Sequence, residues 1–161
     1  MNFLEQIVAE WYAYRGYFVR TNIRFGRRKK GGWKGEMDVI AFHPIDKNLI
    51  HIETSTDSDT WSERKSRFQR KFRDANDHYQ ELFKFEIKEI QQIAIVGMGK
   101  PKTPPDFGDE IKIKLISDFF REITSEISKI SPTESIHEQY PLLRAIQFAT
   151  YWEDKNIPIK K

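Results

Sequence analysis

Two acids, Asp38 and Glu53, stand at the ends of short apolar runs in the stretch GEMDVIAFHPIDKNLIHIETS, residues 35–55. The runs Met37–Phe42 and Leu49–Ile52 are joined by a Pro/Asp/Asn turn, the pattern of two strands paired as a hairpin. Asp38 opens the first run and Glu53 closes the second, so antiparallel pairing brings their carboxylates to the same end of the hairpin. A carboxylate in an apolar strand is costly to bury unless something positive offsets it. Two such carboxylates repel unless a cation or a shared proton intervenes. The pair is the outline of a cation site.

An acid at a strand start, followed by acid-x-Lys ending the next strand, is the motif of the PD-(D/E)XK nuclease superfamily, which this stretch resembles. The resemblance implies Asp38 and Glu53 as metal ligands, the backbone carbonyl of Thr54 as a further donor, and hydrolysis of DNA phosphodiester bonds. The donors are all hard oxygens, so the expected ion is Mg²⁺, with Mn²⁺ as a substitute. The family's lysine falls at position 55, where this chain has Ser55. Losing one charge-stabilising donor costs about 2.7–4 kcal/mol of transition-state stabilisation. Either another cation replaces it, or the site binds without cutting. Lys65, and after it Arg64, begins the next helix and is the expected replacement, since lysine is a movable point charge. His51 shares the Glu53 face but lies deeper, where a lone histidine is commonly structural.

The elements that position these residues follow from local pattern. Asn2 fits an N-cap for a helix to about Tyr14, with Phe3, Leu4, Ile7, Val8 and Trp11 as an apolar stripe and Gly16 ending it. Tyr17–Phe25 alternates Tyr17/Val19 and Ile23/Phe25 as a strand. The order helix, glycine, strand, acidic hairpin is also that of Holliday-junction resolvases and related restriction-endonuclease-like proteins. These commonly carry a glutamate some eleven residues before the glycine. Glu5 has that spacing from Gly16, which implies a contribution to the metal; an ordinary surface glutamate is the alternative.

Arg27, Arg28, Lys29 and Lys30, then Gly31, Gly32, Trp33 and Lys34, lead into the Asp38 strand. Adjacent cations repel in isolation and are offset beside phosphates, whereas a solvated hairpin loop is the plainer reading. Trp33 suits stacking on a base or covering the loop. After Glu53, Asp57 and Asp59 suit turn and capping roles better than metal binding. Thr60 and Glu63 form a capping box for a helix expected over Trp61–Phe83, with Phe68, Phe72, Ala75, Tyr79 and Leu82 inward. Its first half carries Arg64, Lys65, Arg67, Arg70, Lys71 and Arg73, a density that suits a phosphate-contact face.

The remainder reads as scaffold. Glu89–Gly97 and Ile111–Ile116 are expected strands, separated by a Gly-Met-Gly turn and a Pro-rich loop, Pro101–Pro105. Gly97-Met98-Gly99-Lys100 lacks the spacing of a nucleotide fingerprint. Ser117 and Asp118 suit the cap of a helix with Phe120, Ile123, Ile127 and Ile130 on one face, stopped by Ser131-Pro132. Pro141 starts a last helix with Leu142, Leu143, Ile146 and Thr150 inward, followed by a lysine-bearing tail.

At 161 residues and 19.2 kDa the chain is one domain by size. The expected class is α/β, and the resemblance implies a restriction endonuclease-like αβββαβ core over about residues 1–116, a mixed sheet flanked by helices, with helices appended over about 117–154. With 27 basic and 24 acidic residues the net charge is only +3, so the placement of the cations matters more than their sum. There is no cysteine, which excludes disulfides, thiolate zinc sites and cysteine nucleophiles. Met1–Val8 has no basic leader, and no run approaches the roughly 20 apolar residues of a membrane span, so a soluble, cytoplasmic protein is expected. Three functions compete: a Mg²⁺-dependent endonuclease on DNA, with RNA as another target and a homodimer as one arrangement; a catalytically degenerate nuclease-fold module that holds nucleic acid; and an α/β protein whose acids merely pair with the basic helix.

Overall fold

The computed structural model describes residues 1–97, 105–108 and 110–153. Helix α1 (Phe3–Tyr14) is followed by strands β1 (Phe18–Arg27), β2 (Trp33–His43) and β3 (Asn48–Ser55). Helices α2 (Trp61–Asn76) and α3 (Tyr79–Leu82), strands β4 (Glu89–Val96) and β5 (Lys112–Leu115), and helices α4 (Ile116–Ile127) and α5 (Pro141–Glu153) complete the order. The strands form one five-stranded sheet in the order β1-β2-β3-β4-β5. β1, β2 and β3 pair antiparallel, and β3, β4 and β5 pair parallel. The fold is mixed α/β, with helices on both faces. No helix among the described residues is long and apolar enough to cross a membrane.

One face of the sheet carries α1, α4 and α5, where Leu4, Val8 and Trp11 pack with Val39, Ala41, Ile50, Ile52, Ile123 and Leu143. Asn2 caps α1 as expected: its side chain accepts from the Leu4 and Glu5 amides. Phe3 departs from the predicted stripe and is 60% exposed, because it lies on the turn that faces away from the sheet. On the other face, α2 and α3 cover Ile40, Leu49, Ala94 and Val96 with Phe68, Phe72, Ala75, Tyr79 and Phe83.

The alternation expected of β1 is interrupted. Val19 packs with the α1 cluster, whereas Ile23 and Phe25 belong to the α2 side. Between them Asn22 adopts φ +53°, a left-handed conformation that asparagine tolerates. The same change occurs on β2, where Met37 and Ile40 pack toward α2 and Val39 and Ala41 toward α1. Thr21 pairs with Val39 and Ile23 with Met37, so Asp38 sits at this irregularity, opposite Asn22.

Three other expectations are corrected. The long helix does not run unbroken to Phe83: Asn76, Asp77 and His78 are weak helix formers, the His78 amide bonds only three residues back to Ala75, and α3 begins afresh at Tyr79. Ser117 and Asp118 do not cap α4, because β5 passes directly into the helix at Leu115–Ile116, leaving Asp118 in the first turn beside Arg121. Phe119 rather than Phe120 takes the buried position. Met98–Lys100, Pro101–Pro104 and the tail from Asp154 lie outside the described residues.

Candidate active site

The register Val39↔Ile52 places Asp38 across the ladder from Glu53, as the hairpin predicts. Ile50 and Ile52 face α1, while Leu49, His51 and Glu53 face α2, so the acids open toward the α2 side. Asp38 is 9% exposed and Glu53 1%. The Asp38 carboxylate accepts the Thr54 amide N–H at 2.9 Å through Oδ2, and the Asp38 amide donates to Glu53 Oε1 at 3.4 Å. Each acid is therefore tied to the other's strand. The contact shown for Thr54 is through its N–H, with its hydroxyl 3.5 Å from the same Asp38 oxygen.

The cation facing both acids is Lys71, from α2. Its Nζ is 3.3 Å from Asp38 Oδ1 and is hydrogen-bonded to Glu53 Oε2. Lys65, expected in that role, makes no ion pair among the described residues. Lys71 lies three residues after Phe68 and four before Ala75, both buried, so it projects from the sheet-facing stripe of α2. That spacing is the signal in the sequence that points to Lys71.

Ser55 lies on the α2 side with Glu53 but bonds other partners. Its hydroxyl donates to Asp57 and accepts from Arg67 at 3.2 Å. Arg64 donates to Asp57 Oδ1 at 3.2 Å and to its carbonyl at 2.6 Å, and Arg67 pairs with Asp57 and Asp59. Arg64 and Arg67, both expected on a nucleic-acid face, thus hold the 55–60 segment through the two aspartates. Lys34 reaches Asp74 at 3.6 Å and Asp77 at 4.0 Å, fastening the β1–β2 hairpin to α2. The expected binding cations that stay exposed without an ion pair among the described residues are Arg27, Arg28, Lys29, Lys30 and Arg70.

Glu5 completes the α1 capping box, accepting from the Asn2 amide at 3.1 Å. Asn22 Nδ2 also donates to Glu5 at 3.5 Å and to Glu36 at 3.2 Å, and among the described residues no hydrogen bond joins Glu5 to Asp38 or Glu53. Glu5 is a capping carboxylate whose side chain is 12% exposed.

His51 is fully buried; its Nε2 is 2.8 Å from Glu53 Oε1 and its Nδ1 2.7 Å from the Tyr79 hydroxyl. Burial raises the Glu53 carboxyl, but His51 and Lys71 outweigh it and hold the group below its ordinary value. Asp38 goes the other way, pushed up to about 7 by burial and by the charge of Glu53, which together exceed the opposing pull of Lys71 and the Thr54 amide. Lys71 is raised: burial lowers it, and the two acids more than compensate. Two carboxyl groups thus share one ammonium, with the His51 imidazole against the buried oxygen of Glu53.

No protein-family model matches the chain, and no curated protein matches it. Among solved structures it is similar to the crystal structure of a protein of unknown function, AF1548, with 12% identity and a TM-score of 0.46, over 92% of this chain and 95% of that one.

Proposed function

We propose that the protein is a metal-dependent endonuclease that hydrolyses phosphodiester bonds of DNA, with Asp38, Glu53 and Lys71 as its reacting centre. The observation that carries this reading is the charge count at the site: two carboxylates from adjacent strands converge on a single ammonium. Two carboxylates this close repel when both are ionised, and a divalent cation between them would relieve that repulsion. The order of a helix, three antiparallel strands, a helical crossover and a parallel strand supports a restriction endonuclease-like core.

The donor set fits Mg²⁺, which is commonly bound through one or two carboxylates, waters and substrate phosphates rather than a full protein cage. Asp38 and Glu53 would hold it. When bound, the ion supplies Lewis-acid polarisation of the phosphoryl group and a more acidic water. The chain's own residues do the positioning. The Thr54 amide aims Asp38, and His51 fixes Glu53. Lys71 carries three N–H donors on a flexible stem that is 34% exposed, so it can turn from the acids to a non-bridging phosphate oxygen and stabilise the charge that develops there. The exposed cations Arg27–Lys30 contact phosphates along the backbone and release counterions.

The test is cleavage of plasmid, junction and RNA substrates in Mg²⁺ and in EDTA by wild type, Asp38→Ala and Glu53→Ala. Metal-dependent cleavage lost in both variants is expected; equal activity in EDTA, or full activity in both variants, rejects the site. One observation favours a nuclease-fold module that binds without cutting: the position where the motif lysine falls is Ser55. Wild-type binding with no cleavage in Mg²⁺ or Mn²⁺ selects that reading.

A further inference from the structure

Glu53 is attached to a chain of hydrogen bonds that starts at the buried His51 and leads outward, away from the proposed reacting centre. Gln92 Nε2 donates to the Tyr79 hydroxyl oxygen at 3.1 Å and to Asn76 Oδ1 at 2.6 Å. With its oxygen accepting from Gln92, Tyr79 has its O–H free for His51 Nδ1, 2.7 Å away. An Nδ1 that accepts leaves the ring proton on Nε2, directed at Glu53 Oε1 2.8 Å away. The imidazole is also gripped by ring contacts with Phe72 and Tyr79, with centroids 4.9 and 5.7 Å apart. Every member of the chain has a partner, and no buried side-chain polar atom among the described residues lacks one.

We propose that His51 and Tyr79 are positioning residues for Glu53. The Gln92–Tyr79–His51 chain selects one tautomer, that tautomer occupies Oε1, and Glu53 presents only Oε2 toward Lys71 and toward a divalent ion. Tyr79 touches neither acid, so its influence passes through the imidazole. This inference rests on the metal-site reading above. Partners that orient ligands are typically worth 10–100-fold in metal affinity.

Two measurements test it. In metal-free wild type at pH 7.5, ¹⁵N spectra of the imidazole should show the Nε2–H tautomer, and Tyr79→Phe should lose it. An Nδ1–H tautomer in wild type, or an unchanged tautomer in Tyr79→Phe, overturns the relay. In Mn²⁺ titrations by calorimetry, Tyr79→Phe and His51→Leu should bind about 10–100-fold more weakly than wild type. His51→Gln, which keeps an N–H donor for Glu53, should recover most of that loss, and adding Tyr79→Phe to His51→Gln should change nothing further. Unchanged affinity in Tyr79→Phe, with wild type binding normally, overturns the positioning role. A wild type that takes up no Mn²⁺ overturns the metal-site reading and the positioning role with it, while the tautomer experiment still decides whether the relay exists.

Discussion

The ammonium of Lys71 lies 3.3 Å from Oδ1 of Asp38 and hydrogen-bonds Oε2 of Glu53, so one helix-borne cation bridges acids of two neighbouring strands. On the endonuclease reading proposed above, Lys71 would supply from α2 the charge expected at position 55. Lys71→Ala should therefore lower single-turnover cleavage by about 10²–10³ with little change in DNA binding, while Lys65→Ala leaves the rate unchanged. Ser55→Lys should not raise the wild-type rate, because Arg67 already stands against that position. A rate sensitive to Lys65 and indifferent to Lys71 would reverse the assignment.

The acids set an opposite pair of pH effects on stability. Asp38 has an ordinary value of 3.8 and a folded value of about 7. Between these the native chain keeps this proton and the unfolded chain does not, so the contribution of Asp38 to metal-free stability falls as pH rises through the window and is level above it. At about 1.36 kcal/mol per unit the cost approaches ~4 kcal/mol, an upper limit given solvent access past Lys71. Asp38→Asn should melt higher than wild type at pH 8 in EDTA, by roughly 2–4 °C per kcal/mol, and lose the advantage at pH 4. Excess Mg²⁺ should erase or invert the difference. Thermal melts across this grid check it, and a wild type that melts above Asp38→Asn at pH 8 in EDTA contradicts the account.

The cations divide into free and tied. Neutralising Arg27, Arg28, Lys29 and Lys30 together should reduce DNA affinity and flatten its salt dependence by up to about 0.9 log unit per lost duplex contact. Arg64→Ala should leave that slope alone and instead lower stability by about 1–3 kcal/mol, since it strips donors from Asp57. Binding isotherms at several salt concentrations, with melts of the same variants, separate the two classes.

Glu10 is 7% exposed and accepts the amides of Leu142 at 2.9 Å and Leu143 at 3.1 Å, so an acid of α1 caps the start of α5. Glu10→Ala should cost about 1–3 kcal/mol by leaving those amides unpaired, and Glu10→Gln, which keeps an acceptor oxygen, should cost less. Chemical denaturation of the two variants gives the ranking; equal losses would show that charge alone matters.

What the sequence made legible was local. The hairpin acids, the Asn2 and Thr60 caps and the stripe of α2 follow from side-chain period and from hydrogen bonds within a few residues. The Asn22–Asp38 irregularity was hidden because a change of face leaves the alternation of residue types intact. Lys71 was hidden among five other cations of the same helix segment, and what sets it apart is its place between Phe68 and Ala75 on the buried stripe. Glu10 and the fully buried Gln147, which binds carbonyls of Ile130 and Ser131, are polar residues whose partners come from distant elements. No short-range rule pairs them.

The Glu10–Leu142 bond joins residues 132 positions apart in the chain. On a ribosome adding about 5–20 residues per second, the first partner emerges roughly 7–26 s before the second. During vectorial synthesis α1 can dock on the hairpin strands well before α5 exists, with the Glu10 carboxylate already accepting from Gln6. The last helix therefore acts as a late latch on an early-built half, and chains stalled before it should present α1 to chaperones and proteases with one flank uncovered.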